Sequence, residues 1–114
     1  MKPDPSCVFC KIAAGTIPTD KVLENDLVVA FKDARPSAET HVLLIPRGHV
    51  GSFTENIDLA VWDSLRQAAR QVITDLNLEK AYKLVFNGGS YQHVPHLHWH
   101  LLGGKMTAHL REEV

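Results

Sequence analysis

No stretch of this sequence is apolar for long enough to cross a bilayer. The longest hydrophobic runs, Leu27 to Phe31 and Val42 to Ile45, are a fraction of the roughly 20 residues that a spanning helix requires. The beginning, MKPDPSCVFC, has no apolar signal segment, so a cytoplasmic location is expected. Neither sign of charge is in excess: 12 Lys and Arg against 13 Asp and Glu give a net charge of −1. A basic stripe for nucleic acid or for an anionic membrane surface is therefore absent. Cysteine is scarce, with 2 residues in 114, and in a reducing compartment a structural disulfide is not expected. There is no internal repeat and no low-complexity segment.

What remains is the composition of an ordinary globular chain, 45% hydrophobic and 22% charged, long enough to bury a core as a single domain over 1–114. Residues 1–6, with two prolines, read as an irregular lead-in, and 107–114 as a C-terminal tail. Cys7 to Ala14 reads as a short helix stopped by Gly15, with Pro18 soon after. Leu27 to Phe31 and His41 to Ile45 are continuous apolar runs typical of buried strands, the second ended by Pro46 and Gly48, with a loop over Asp33 to Glu39 between them. From about Ile57 to Leu76 the residues Val61, Leu65, Ala68, Val72 and Leu76 recur at helical spacing, with Asn56 or Asp58 as caps. Tyr82 to Asn87 and His96 to Leu102 are further strands. Short strands joined mostly by turns, plus one long helix, indicate an α+β domain with a largely antiparallel sheet.

Histidine is where the sequence becomes chemically specific. His96, His98 and His100 alternate with Leu97, Trp99 and Leu101, so on a strand the imidazoles share one face and the apolar residues the other. A solvated surface strand would also carry histidines, but three in register opposite an apolar face favour chemistry. Residues i and i+4 on a strand lie about 13 Å apart at roughly 3.3 Å per residue, too far for all three to bind one metal ion. The three histidines should therefore have different tasks, and imidazole can serve as ligand, base or nucleophile near neutral pH. Cys7 and Cys10 have the spacing of a metal clip or a redox pair, and two plain buried thiols are the third reading.

Taken together, Cys7-Val8-Phe9-Cys10-Lys11-Ile12, Thr40 to Pro46 and His96 to Leu102 resemble the histidine triad (HIT) family. Within it, the ending Leu101-Leu102-Gly103-Gly104-Lys105-Met106 looks most like the nucleotide-binding, phosphoramidase-like branch. The resemblance implies a HIT-like fold, an antiparallel sheet of about five strands with one long and one short helix. It also implies cleavage at the α-phosphorus of small nucleotide conjugates, with purine nucleotides of the AMP or GMP type preferred, through a covalent nucleotidyl-histidine intermediate. His98 would be the nucleophile, His100 a donor to phosphate oxygens, and His41 either its support or a satisfied interior histidine. Asp33 matches the ribose-binding carboxylate, although a turn aspartate would be as natural there. Asn87, Gln92 and His93 would face the phosphate or the leaving group, and Phe9, Ile12, Phe31 and Leu43, together with Val8, the base. Cys7, Cys10, His49 and His96 map onto one structural zinc per chain. Members commonly pair as homodimers by joining their sheets, and a homodimer is expected here.

Two features depart from the family pattern. The loop between Asn87 and Gln92 is shorter than its usual form, and His93 stands where a serine or threonine is common. His93 motivates a second reading, a nucleotide-binding regulatory module with little turnover. A zinc-stabilised interaction protein without catalysis is the third.

Overall fold

The computed structural model describes residues 2–107. Helix α1 (Val8–Ala13) precedes three strands, β1 (Lys21–Glu24), β2 (Val28–Lys32) and β3 (Ala38–Pro46). Helix α2 (Leu59–Asp75) follows, then β4 (Lys83–Phe86), a single 3-10 turn (Gly89–Tyr91) and β5 (Trp99–Met106). The strands form one five-stranded sheet in the order β1-β2-β3-β5-β4, antiparallel at every pairing.

Both faces of this sheet are covered, which is why β2 and β3 are apolar without alternation. Val28, Ala30, Val42, Leu44, Leu97 and Leu101 pack against Val61, Leu65, Ala68, Ala69 and Val72 of α2. Val29, Phe31, Leu43 and Ile45 leave the opposite face and meet Phe9, Ile12 and Ala13 of α1. Each fully buried Val or Leu contributes roughly 1.5–3 kcal/mol relative to exposure. The amphipathic spacing read from the sequence thus belongs to α2. The helix begins after Asp58, whose side chain makes no capping hydrogen bond.

Beyond shifts at element ends, such as β3 starting at Ala38 inside the expected loop and running through Pro46, three features differ from the sequence reading. Strand β1 has only four residues and no apolar run, so periodicity does not reveal it; its pairing with β2 forms it. Strand β5 runs on through Gly103 and Gly104 to Met106. Its register slips against β3 between Ala38 and Thr40, with Gly104 at φ +75°. A Cβ on Gly104 would approach Glu39 Cβ to 2.9 Å, so this bulge needs glycine.

The third difference concerns the histidines. The ladder of β5 starts at Trp99, opposite Leu44, rather than at His96. Continued two residues further along each strand, that register would bring Leu97 opposite Pro46, which has no N–H to donate. Leu97 N–H instead donates to Val50 O at 2.6 Å. The alternation itself holds: Leu97, Trp99 and Leu101 join the core under α2, and His96, His98 and His100 are buried toward α1.

Candidate active site

The histidine face looks into a cavity of about 600 Å³ bounded by Phe9, Ile12, Phe31, Asp33, Leu43, His93, His98 and His100. All the apolar base-pocket candidates except Val8 are therefore present in one wall. Lys32, Ala34, Arg35 and Val94, together with Ile17 to Thr19, complete the lining and were not singled out in the sequence. They sit in loops or at strand ends, where no periodic pattern marks them. Asn87 and Gln92 are not among the lining residues; the Gln92 side-chain amide donates to the Gly51 carbonyl.

The proton on each imidazole follows from its fixed partner, since a neutral ring has one N–H and one lone pair. His98 Nδ1 lies 2.7 Å from the carbonyl of His96. A carbonyl can only accept, so Nδ1 carries the hydrogen and Nε2 keeps its lone pair. His41 is set in the opposite sense: its Nδ1 accepts from the Ser37 N–H at 3.0 Å, which leaves the hydrogen on Nε2. That Nε2–H donates to His100 Nδ1 at 2.9 Å. His100 must then carry its own hydrogen on Nε2. Side by side, with ring centroids 5.0 Å apart, His98 offers a nucleophilic lone pair and His100 a donor. Ser37 acts through its backbone amide, a role with no side-chain signature in the sequence.

Register explains the His41–His100 contact. His41 pairs with Leu102 and Leu43 with His100, so the two histidines are diagonal neighbours on one face. Asp33 Oδ2 stands 3.5 Å from His41 Nε2, while its Oδ1 accepts from the Arg35 N–H at 2.9 Å. Asp33 is thus a turn residue and a member of the cavity wall at once. Asp33, His41 and His100 also lie close enough together to hold a metal ion. The Ser37 N–H disfavours that, because it keeps the hydrogen on the very nitrogen a metal would need.

Burial favours the neutral form of the rings on this face. It is the main cause that pushes His100 down to about 3 from the ordinary 6.5, with the neighbouring His98 and His41 adding to it. Burial likewise lowers His98, against the opposing effect of its hydrogen bond to the His96 carbonyl.

On the far side of Phe9, whose ring stands edge-on to both His96 and His98, lies a second cluster. Cys7, Cys10, His49 and His96 present four donor atoms within 4.8 Å of one another. His96 Nε2–H donates to Pro46 O at 2.8 Å, so His96 Nδ1 turns its lone pair to Cys7 Sγ at 3.3 Å and Cys10 Sγ at 3.5 Å. His49 Nδ1 is 3.4 Å from Cys10 Sγ. Tetrahedral zinc, with Zn–S about 2.3 Å and Zn–N about 2.0–2.1 Å, requires S···N edges of about 3.6 Å. The sulfurs also receive backbone donors, Asp4 N–H to Cys10 Sγ at 3.3 Å and Cys10 N–H to Cys7 Sγ at 3.5 Å. Burial, with Cys7 and the Asp4 charge adding to it against the Asp4 N–H bond, pushes the Cys10 thiol up, so a cation is what would hold it as thiolate. The donor set fits zinc.

The buried histidines give a pH prediction. With a folded pKa of about 3 against an ordinary 6.5, His100 costs nothing above 6.5, where both states are neutral. Below it the unfolded chain takes up a proton that the native state refuses, and stability falls by about 1.4 kcal/mol per pH unit. The loss ceases at about 3. Denaturant titrations of wild type and His100→Asn from neutral to acid pH should therefore show a steeper loss for wild type. Equal slopes would contradict it.

The HIT domain model matches residues 14–107 of this chain. A HIT family hydrolase from Legionella pneumophila is 40% identical, and its crystal structure superposes with a TM-score of 0.83 over 89% of this chain and 95% of that one. The histidine triad nucleotide-binding protein of Candida albicans is 33% identical, with a TM-score of 0.81 over 88% and 76%. The 14 kDa zinc-binding protein of Zea mays is 36% identical over 108 residues, 90% of this chain and 84% of the maize protein. With His98 and His100 on one cavity wall and its five-stranded sheet superposing on that of the Legionella protein, this chain belongs to the HIT domain family.

Proposed function

We propose that this chain is a nucleotidyl hydrolase that cleaves small nucleotide conjugates at the α-phosphorus, with purine nucleoside phosphoramidates as the favoured class. The observation that carries the reading is the pair of opposed tautomers, a lone pair on His98 Nε2 beside a hydrogen on His100 Nε2, in the wall of one cavity. In the first step His98 Nε2 forms a bond to phosphorus and the amine leaves with its electron pair, taking up a proton from solvent water. Negative charge on the phosphate oxygens is met by His100 Nε2–H, whose donor is held in place by His41 before substrate arrives. In the second step water attacks the nucleotidyl-imidazole and gives up a proton to solvent, the P–N bond to His98 breaks with its electron pair returning to Nε2, and the nucleoside monophosphate departs. One difficult displacement becomes two easier ones.

Asp33 Oδ2 is the acceptor proposed for the ribose hydroxyls, with Phe9, Ile12, Phe31 and Leu43 around the base. Support comes from the relatives, a hydrolase in Legionella and a nucleotide-binding protein in Candida. A second reading, a nucleotide-binding module with little turnover, is favoured by His93, a lining residue where the family commonly has a small hydroxyl. Release of nucleoside monophosphate from an adenosine phosphoramidate separates the two. Asn87 remains a proposed phosphate-side donor; Gln92 would serve only by leaving Gly51.

Cys7, Cys10, His49 and His96 are proposed to hold one structural zinc, a reading supported by their fit and by the maize relative. A reducing, cytoplasmic setting suits these two free thiols, and no helix among the described residues is long and apolar enough to cross a membrane. A homodimer is proposed through β4, an edge strand that leaves Leu84 and Phe86 exposed beside Tyr82 and Phe53.

Two outcomes are expected. His98→Asn should lower turnover by roughly a thousandfold or more while nucleotide affinity, measured by calorimetry, stays within about 1 kcal/mol, because the ring nitrogen acts only in bond making. Turnover near the wild-type rate would remove the mechanism. Protein prepared without chelator should carry about one equivalent of zinc, and Cys7→Ser should lose both metal and thermal stability, since metal binding is coupled to folding. Metal analysis of wild type that finds no zinc would refute the assignment.

A further inference from the structure

We propose that His96 is a positioning residue that couples the Cys2His2 set to the nucleophile, its ring anchored among the metal donors while its carbonyl fixes the proton on His98. The inference rests on the proposed hydrolase reading only for its consequence in turnover; the coupling itself stands on geometry.

His96 precedes the ladder of β5, so no strand pairing fixes its carbonyl. Two short bonds tie the segment down instead. His96 Nε2–H donates to Pro46 O at 2.8 Å, and Leu97 N–H donates to Val50 O at 2.6 Å. Both acceptors flank His49, the partner ligand, on the segment that leaves β3. The sulfurs of α1 close the third side, with Cys7 and Cys10 Sγ at 3.3 and 3.5 Å from His96 Nδ1. The metal donor set therefore joins α1, the end of β3 and the approach to β5 at one residue. On the other side of that residue, 2.7 Å from its carbonyl oxygen, is His98 Nδ1.

The consequence is a tautomer that depends on a remote site. While the ring of His96 is held, its carbonyl accepts from Nδ1 and the lone pair of His98 Nε2 faces the cavity. If the ring is released, the peptide after it keeps the Leu97 N–H bond to Val50 O but loses its second anchor, and the acceptor that selects this tautomer of His98 over the other is held less firmly. Binding of a nucleotide through Asp33 and the apolar wall does not use this bond.

The test is NMR of protein labelled with 15N-histidine, zinc-loaded and after removal of zinc with a chelator. The loaded protein should show His98 with hydrogen on Nδ1 alone and slow exchange of that proton. The stripped protein should show mixed tautomers and exchange roughly tenfold faster or more. A stripped, folded protein that keeps the wild-type tautomer and exchange rate would overturn the proposal. If removal of zinc unfolds the chain, His96→Asn decides the matter, because it leaves Cys7, Cys10 and His49 as metal donors but removes the ring that the metal and Pro46 would hold. Its zinc-loaded form should show mixed tautomers on His98 and a lower kcat with an unchanged KM. The wild-type tautomer in that variant would refute the coupling. A tautomer that follows the metal in a protein without turnover would uphold the coupling and remove the hydrolase reading instead.

Discussion

The 2.7 Å hydrogen bond from His98 Nδ1–H to the carbonyl of His96 decides which nitrogen of the middle histidine faces the cavity, and the rest of the site is arranged around that choice. Had His98 offered Nε2–H, the cavity would contain donors and no nucleophile. The selection is made by a main-chain group, so it adds no further charge or titrating side chain to the wall. His41 and His100 are oriented in the same way, by the backbone N–H of Ser37 relayed through one imidazole. Protons are thus placed by the fold, and burial keeps His98 and His100 neutral enough for the placement to persist.

Covering the sheet on both faces is what makes such burial available. Helix α2 closes one side through Leu65, Ala68 and Val72. Helix α1, only six residues long, closes part of the other and brings Phe9 between the metal donors and the cavity. A helix of this length is marginal by itself. Its position depends on apolar contacts with Phe31, Leu43 and Ile45 and on the sulfur contacts to His49 and His96. The Cys2His2 cluster and the cavity therefore share one structural element, and loss of one should loosen the other.

Much of this was legible in the sequence. Alternation of His96, His98 and His100 with Leu97, Trp99 and Leu101 divides the two faces correctly, because side-chain direction in extended chain needs only period two. The spacing of Val61, Leu65, Ala68 and Val72 marks α2 for a similar reason. The spacing argument against one metal for three histidines also agrees with the geometry: His96 turns to the cysteines and His100 to His41. What the sequence does not disclose is carried by backbone atoms and register. Ser37 N–H, Pro46 O and His96 O choose the tautomers, and no side-chain identity announces them. The start of β5 at Trp99 depends on a proline in the neighbouring strand, and β1 on pairing rather than pattern.

The central claim is that His98 Nε2 becomes covalently bonded to phosphorus. Rapid quench of the wild-type protein with an adenosine phosphoramidate carrying a labelled α-phosphate tests it most directly. Quenching into base preserves a phosphorus–imidazole bond that acid would cleave. Peptide mass analysis should then find the nucleotidyl group on His98 within the first turnover, ahead of free nucleoside monophosphate. Product formed at full rate with no labelled peptide at any time, or with the label on His93 or His100, would contradict the account.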